Sequence, residues 1–190
     1  MNARTKKRTY PWWLTHLHNA CYAGMGIILL IHPAQGSIRH EIGLGSLLLI
    51  AGLCTGLFGL RRRQLGERDN YWFILSSLRD IAFGIALLVM VGNSLQTMIN
   101  VLGLWAIVYA FLQAIEANFY FLGTRSNEDK DYGVEVIHFI CVFIAGGFAF
   151  LSIMRPEGFP DSLRYVGLFL VGLGLAQAVL SWRLKNMITL

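Results

Sequence analysis

Residues 71–92 read YWFILSSLRDIAFGIALLVMVG. A helix needs about 20 apolar residues to cross a hydrocarbon core of roughly 30 Å, and this stretch is long enough to do so. The apolar residues are continuous and show no period of two, which argues against a membrane β-strand. Because backbone polar groups in lipid must be paired within their own segment, the stretch predicts a transmembrane α-helix. Two adjacent charged residues, Arg79 and Asp80, lie inside it.

The rest of the chain repeats this pattern. Further apolar stretches of comparable length occupy residues 11–31, 41–60, 98–122, 132–154 and 162–182. Apolar residues make up 55% of the 190-residue chain and charged residues 14%, whereas a soluble domain has about 45–50% apolar and about 25% charged residues. The short connections leave no room for a separate soluble domain. We therefore predict an all-α membrane protein in which residues 1–190 form a single domain of six transmembrane helices.

Internal similarity groups the predicted helices into three hairpins. These hairpins comprise residues 11–60, 71–122 and 132–182. The first helix of each hairpin has a glycine followed by four apolar residues, at Gly26, Gly84 and Gly147. Because every hairpin crosses the membrane twice, all three have the same orientation, and such repeats are related by an axis along the membrane normal. We therefore expect a bundle with approximate three-fold symmetry.

The basic residues give the predicted orientation. Twelve of the sixteen Lys and Arg residues fall on one side of the predicted spans: Arg4, Lys6, Lys7, Arg8, Arg61, Arg62, Arg63, Arg68, Arg125, Lys130, Arg183 and Lys185. The positive-inside rule places this side, and with it both termini, in the cytoplasm. We interpret the net charge of +5 as this topology signal and as a basis for contact with anionic lipid head groups. A nucleic-acid partner is not expected.

The central hairpin suggests a family. It contains Leu-x-Asp-Ile-x-x-Gly at residues 78–84 and Leu-Gly-x-Trp-Ala-Ile at residues 102–107. This resembles the HdeD family of small bacterial inner-membrane proteins with short hairpin repeats, which also matches in length, number of spans and cytoplasmic termini. The resemblance implies a bacterial plasma-membrane protein with a role in acid resistance or general envelope stress, and it implies no catalytic residue. At the positions of Arg79-Asp80, the other two hairpins have Cys21-Tyr22 and Val142-Phe143.

Polar side chains inside the predicted spans are the candidate functional residues. A charge at the centre of a membrane helix destabilises insertion by about 2.5–3.5 kcal/mol, so such residues are often functional. They lie toward the cytoplasmic ends of the spans, which predicts a bundle that is polar in its inner half and dry in its outer half. The candidate binding cluster comprises Arg79, Asp80, Gln113, Glu116, Glu135 and His138. The amide Gln177 and the histidines His16 and His18 lie at similar depth.

Helical geometry suggests partners within this cluster. Adjacent helical residues point about 100° apart, so Arg79 and Asp80 are not expected to face one partner. We predict an ion pair between Arg79 and Glu116, and for Asp80 a contact with His138 or with a histidine of the first span. Two interpretations of the cluster stay open: a cytoplasm-facing vestibule that binds protons, a lipid head group or a small polar ligand, and interhelical hydrogen bonding that only fixes packing.

Motifs for other chemistry are missing from the sequence. Glu135-x-x-His138 occurs once, whereas di-iron bundles need paired copies and further carboxylates, so neither a metal nor another cofactor is expected. The three cysteines lie inside spans and are interpreted as small buried residues. Gly52-x-x-x-Gly56 predicts close helix packing, within one chain or in a homo-oligomer. No nucleophile or phosphate-loop motif occurs, so an enzyme is not favoured.

The predicted function is therefore an HdeD-like stress role. Glu116, Asp80 and His138 are the groups that could change protonation as the cytoplasm acidifies. The alternative is a small transporter, or a lipid-binding or small-molecule-binding membrane protein, that uses the same inner polar cavity. An enzyme acting on lipid ranks third.

Overall fold

A computed structural model of the protein describes residues 10–31, 38–65, 71–124, 132–154 and 159–189. These residues form six α-helices: α1 (Trp13–Ile31), α2 (Ile38–Gln64), α3 (Tyr71–Val89), α4 (Leu95–Thr124), α5 (Tyr132–Met154) and α6 (Phe159–Thr189). Each of these helices is long and apolar enough to cross a membrane, and no strand occurs among the described residues. The predicted all-α membrane fold is confirmed.

Helix ends differ from the predicted spans where a helix continues beyond its apolar stretch. The predicted second span ends at residue 60, but α2 runs on through Arg61–Arg63 to Gln64, since arginine and glutamine are good helix formers in water. At the other end of the bundle, α3 ends at Val89 and the chain turns at Gly92, whose φ of +84° favours glycine. The Gly92 amide donates a 2.7 Å hydrogen bond to Glu41 at the start of α2, which ties this turn to the neighbouring helix.

The helices alternate in direction around a closed ring. Each helix packs against its neighbours in the chain, and α6 packs against α1 to close the ring. The most extensive contacts join α2 with α3, α4 with α5, and α6 with α1, whereas α3 and α4 make the least extensive contact between neighbours. The closest pairings therefore lie between successive predicted hairpins. We call the end of the bundle where α1 starts the basic end, because Arg61–Arg63 and Arg183 lie there; the opposite end is the far end.

Small residues explain the closest pairings. A Cβ on Gly52 would lie 2.9 Å from the Ile81 amide nitrogen of α3, and a Cβ on Gly167 of α6 would lie 2.7 Å from the Gly26 carbonyl oxygen of α1. Only a residue without a side chain lets the two backbones approach this closely. The Gly52-x-x-x-Gly56 motif therefore packs within one chain, against the helix that follows it.

The half of the interior near the far end is filled by apolar side chains. Fully buried residues from all helices meet there, among them Met25, Leu44, Leu48, Leu87, Leu102, Phe148 and Leu170. Most of the buried polar side chains, including His18, Arg79, Asp80, Gln113 and His138, lie in the other half, toward the basic end. The packed apolar layer closes the polar interior on one side.

Candidate functional site

Asp80 is the centre of a hydrogen-bond network that joins three helices. Its side chain is completely buried. Oδ1 accepts hydrogen bonds from Arg79 Nε at 2.8 Å and from Trp105 Nε1 at 2.9 Å, and Oδ2 accepts one from the Tyr22 hydroxyl at 2.8 Å. Because a buried carboxylate is strongly destabilising unless it is paired and hydrogen-bonded, these donors from α1, α3 and α4 are what allows Asp80 to lie inside the bundle.

Arg79 pairs with its neighbour Asp80, so the predicted Arg79–Glu116 ion pair is wrong. The guanidinium donates a second hydrogen bond, from Nη2 to the Tyr22 hydroxyl at 2.9 Å, and lies 4.4 Å from the Tyr109 ring centre. Adjacent Cβ atoms do point in different directions, but the long arginine side chain bends back far enough for Nε to reach the carboxylate. The tyrosine ring then covers the cation, a favourable cation–π contact.

His18 of the first helix, rather than His138, lies near Asp80. Its Nδ1 is 4.0 Å from Asp80 Oδ2, 2.8 Å from Thr55 Oγ1 and 3.2 Å from the Ala51 carbonyl oxygen. The Thr55 hydroxyl donates to the Ala51 carbonyl at 3.1 Å, so it accepts from His18, whose Nδ1 carries the proton. The His18 ring also packs on Tyr22, with 4.4 Å between ring centres. Helix α2 therefore positions this histidine against the Asp80 network.

A second network joins α4 with α5 and α6. Gln177 on α6 donates to the Tyr109 hydroxyl and, at 3.3 Å, to Gln113 Oε1. The Gln113 amide in turn donates to His138 Nδ1 on α5. Cys141 Sγ lies 3.8 Å from the Gln177 amide. Because Tyr109 stacks over Arg79, the two networks touch at this ring.

A cavity of about 80 Å³ extends from the basic end into the bundle. We call it the inner cavity. Trp12 and Arg62 line it near the basic end, and Arg79 and Tyr109 line it at its deepest point. Threonine, asparagine, glutamine and serine side chains supply much of the remaining wall. Because one water needs roughly 10–15 Å³ of such space, the inner cavity can hold several waters or a small polar molecule.

A larger cavity of about 640 Å³ lies beside it, at the basic end between α3, α4 and α5. We call it the side cavity, and its lining includes Arg62, Tyr71, Trp72, Glu116, Phe119 and His138. Glu116 and Arg62 line both cavities. No hydrogen bond or ion pair reaches the Glu116 carboxylate from the part of the chain that the structure describes.

The predicted candidates therefore separate into different environments. Arg79, Gln113 and Glu116 line the inner cavity, and His138 lines the side cavity. Asp80 is sealed behind Arg79, and Glu135, one turn before His138, lines neither cavity. Among the described residues, no group of three His, Cys, Asp or Glu side chains comes together in a way that could hold a metal ion.

Several residues of the two networks were not in the predicted cluster. Tyr22, Trp105 and Tyr109 are buried aromatic residues that each carry one polar atom, and Thr55 fixes His18. A buried tyrosine hydroxyl or indole N–H nearly always has a hydrogen-bond partner. An aromatic residue of this kind near the middle of a span is thus a sequence signal for a buried polar partner, here Asp80.

Comparison with known proteins finds a family for part of the chain. Residues 20–89 match a family described as a short repeat of unknown function (DUF308). The matched segment runs from α1 through the end of α3 and contains Tyr22, Thr55, Arg79 and Asp80, but neither Trp105 nor Glu116. No curated protein and no solved structure has significant similarity to the chain.

Proposed function

We propose that this protein is an HdeD-like, non-enzymatic protein of the bacterial inner membrane that acts in acid resistance or general envelope stress. HdeD belongs to the short-repeat family that residues 20–89 match. The Leu-x-Asp-Ile-x-x-Gly motif at residues 78–84, which carries the resemblance, lies inside the matched segment. The excess of basic residues at one end supports an orientation with both termini in the cytoplasm.

The observation that carries this proposal is a polar cavity that is open at one end of the bundle and closed at the other. The inner cavity reaches from the basic end to Arg79 and Tyr109. Beyond them, apolar side chains such as Leu48, Leu102 and Phe148 fill the interior. A cavity closed in this way suits a protein that binds protons or a small polar ligand from the cytoplasm better than one that conducts across the membrane.

Glu116 is the acidic group best placed to respond to acid in this cavity. Asp80 is held by three hydrogen-bond donors, one of which is the Arg79 cation, whereas Glu116 lines the cavity without such donors from the described residues. Protonation of Glu116 would change the net charge of the cavity without breaking the Asp80 network. A signal of this kind would reach the rest of the bundle through Arg79 and Tyr109, which line the same cavity.

Survival of cells in acid tests the proposal. Cells that lack the protein would be complemented with the unmodified chain, with Glu116→Gln or with Glu135→Gln, at matched amounts in the membrane. We expect the unmodified chain and Glu135→Gln to restore survival and Glu116→Gln to fail. Equal rescue by all three would exclude Glu116 from the mechanism, and normal survival of the deletion strain would overturn the acid-stress role.

A ligand-binding role without a stress function is the second candidate. The side cavity favours it, because about 640 Å³ lies within the range of roughly 300–1,000 Å³ of small-molecule sites. Transport is less well supported, since the described residues of the closed apolar half offer no polar route to the far end. Normal acid survival of the deletion strain would move ligand binding to first place.

A further inference from the structure

The side cavity lies where a lipid head group would lie. It is at the basic end of the bundle, where aromatic and basic side chains mark the depth of the membrane interface. The rings of Tyr71 and Phe119 line it and are 73% and 61% exposed, so they face the surrounding membrane. The helices that carry them, α3 and α4, make the least extensive contact of any neighbouring pair. A lipid could therefore reach the side cavity from the membrane along the seam between α3 and α4.

Two opposite charges line this cavity. The Arg62 guanidinium lies near three aromatic rings, 5.3 Å from the centre of Phe73, 5.7 Å from that of Tyr10 and 5.9 Å from that of Phe58. The Glu116 carboxylate receives no hydrogen bond or ion pair from the described part of the chain. A half-buried carboxylate that receives no hydrogen bond from the protein is stabilised by a donor that enters the cavity. A ligand with a positively charged hydrogen-bond donor would stabilise it.

We propose that the side cavity binds the head group of a zwitterionic phospholipid that carries a primary ammonium, of the phosphatidylethanolamine type. The ammonium would donate to Glu116, the phosphate would pair with Arg62, and the acyl chains would leave past Tyr71 and Phe119. The ligand thus carries a cationic donor for the carboxylate and an anionic group for the guanidinium. A purely anionic lipid would match Arg62 and leave Glu116 unpaired.

The primary ammonium distinguishes this lipid from its methylated relative. An –NH₃⁺ group offers three hydrogen-bond donors to a carboxylate, whereas a quaternary trimethylammonium offers no N–H donor. The aromatic rings around the cavity would accept either cation, so the carboxylate is the element that selects between them. The site is thus expected to prefer phosphatidylethanolamine to phosphatidylcholine. Binding of this lipid does not depend on the proposed stress role, because it can be measured with purified protein.

Native mass spectrometry of the full-length protein, released from detergent, tests the proposal. Dioleoyl-phosphatidylethanolamine, dioleoyl-phosphatidylcholine and dioleoyl-phosphatidylglycerol would be titrated separately. We expect the ethanolamine lipid to bind at least about tenfold more tightly than either of the others, the effect of one charge-assisted hydrogen-bonded pair. Glu116→Gln should remove this preference, and Arg62→Gln should weaken the binding of all three lipids. Arg164→Gln, a charge change at an exposed site of the far end, should bind as the unmodified protein does.

A competition experiment separates a lipid ligand from a soluble one. Phosphoethanolamine carries the same head group without acyl chains, and we expect it to displace the lipid only at far higher concentration. Tight binding of phosphoethanolamine with no binding of the lipid would overturn the proposal in favour of a cytoplasmic metabolite. Equal binding of all three lipids to the unmodified protein would also overturn it. This lipid comparison needs no variant, so it holds even where a substitution prevents folding.

Discussion

The hydroxyl of Tyr22 on α1 donates a 2.8 Å hydrogen bond to Oδ2 of Asp80 on α3. Tyr22 and Asp80 occupy aligned positions in the first and second predicted hairpins, and α1 and α3 are not neighbours in the ring. The bond therefore crosses the interior of the bundle. Two carboxylates meeting at this point would repel each other, whereas a tyrosine donates to Asp80 and accepts from Arg79. The difference between the aligned positions is what makes the contact favourable.

In the third hairpin, the residue aligned with Asp80 does not face the interior of the bundle. Phe143, aligned with Asp80 through Gly147, is 78% exposed and points away from the interior. Cys141 is fully buried instead and lies beside Gln177. The glycine-based alignment is therefore shifted in this hairpin, because a glycine on a helix can face either a neighbouring helix or lipid, and its presence does not fix the register of the buried face.

Replacement of Asp80 by asparagine should strongly destabilise the protein. Asp80→Asn leaves the buried Arg79 cation without its counter-charge, and removal of one partner of a buried ion pair typically costs about 3–5 kcal/mol. Equilibrium unfolding in mixed detergent micelles would measure the loss, with Glu135→Gln as the control carboxylate change. The double variant Arg79→Met, Asp80→Asn removes both charges and should be more stable than Asp80→Asn alone. If Asp80→Asn were as stable as the unmodified protein, this would contradict the central role of the ion pair.

Removal of the Tyr22 hydroxyl should have a smaller effect of the same sign. Tyr22→Phe keeps the ring packing against Trp105 and leaves the Arg79–Asp80 pair intact. It removes the hydroxyl that donates to Asp80 and accepts from Arg79. We expect a loss of about 1–3 kcal/mol in the free energy of unfolding. Tyr165→Phe, which removes the hydroxyl of an exposed tyrosine, should stay within about 0.5 kcal/mol of the unmodified protein. Equal effects of the two changes would argue against the buried network.

The six membrane helices could be predicted from the sequence because each depends only on its own stretch of residues. The length and continuity of each apolar stretch decide that it forms a membrane helix, and stretches such as 71–92 and 132–154 contain the observed α3 and α5. Pairing between distant helices follows from shape. The contact of Gly26 with Gly167, which closes the ring between α1 and α6, joins residues that no local pattern relates to each other.

The sequence indicated which polar side chains lie inside the bundle, but not which of them contact each other. Most of the predicted polar residues face the interior, yet the partner predicted for Arg79 was wrong because a flexible arginine can bend back to its neighbour. The direction of a Cβ constrains a short side chain such as Asp80 far more than a long one. The hydroxyl of Tyr22 was missed because the comparison of the three hairpins considered only the charges at these positions.

Closure of the helix ring should be sensitive to a single methyl group. A Cβ on Gly167 would lie 2.7 Å from the Gly26 carbonyl oxygen and 3.1 Å from the Leu30 amide nitrogen, so Gly167→Ala must push α1 and α6 apart. Overpacking of this kind destabilises by about 1–3 kcal/mol. Gly146→Ala is the matched control, because no atom lies within 4 Å of a Cβ there and alanine favours a helix by about 1 kcal/mol over glycine. Unfolding measurements should therefore show opposite signs for the two variants, and a neutral Gly167→Ala would disprove the close approach of α1 and α6.

The orientation of the bundle can be tested with two exposed arginines. Arg63 lies at the basic end and Arg164 at the far end, and both side chains are exposed. In a background in which the buried Cys21, Cys54 and Cys141 are replaced by alanine, each position would be changed to cysteine and treated with a membrane-impermeant maleimide. Because the positive-inside rule places the basic end in the cytoplasm, Arg164→Cys should be labelled in intact spheroplasts and Arg63→Cys only in inverted vesicles. The reverse pattern would place the mouth of the inner cavity outside the cell, where a cytoplasmic ligand or a fall in cytoplasmic pH could not reach Glu116.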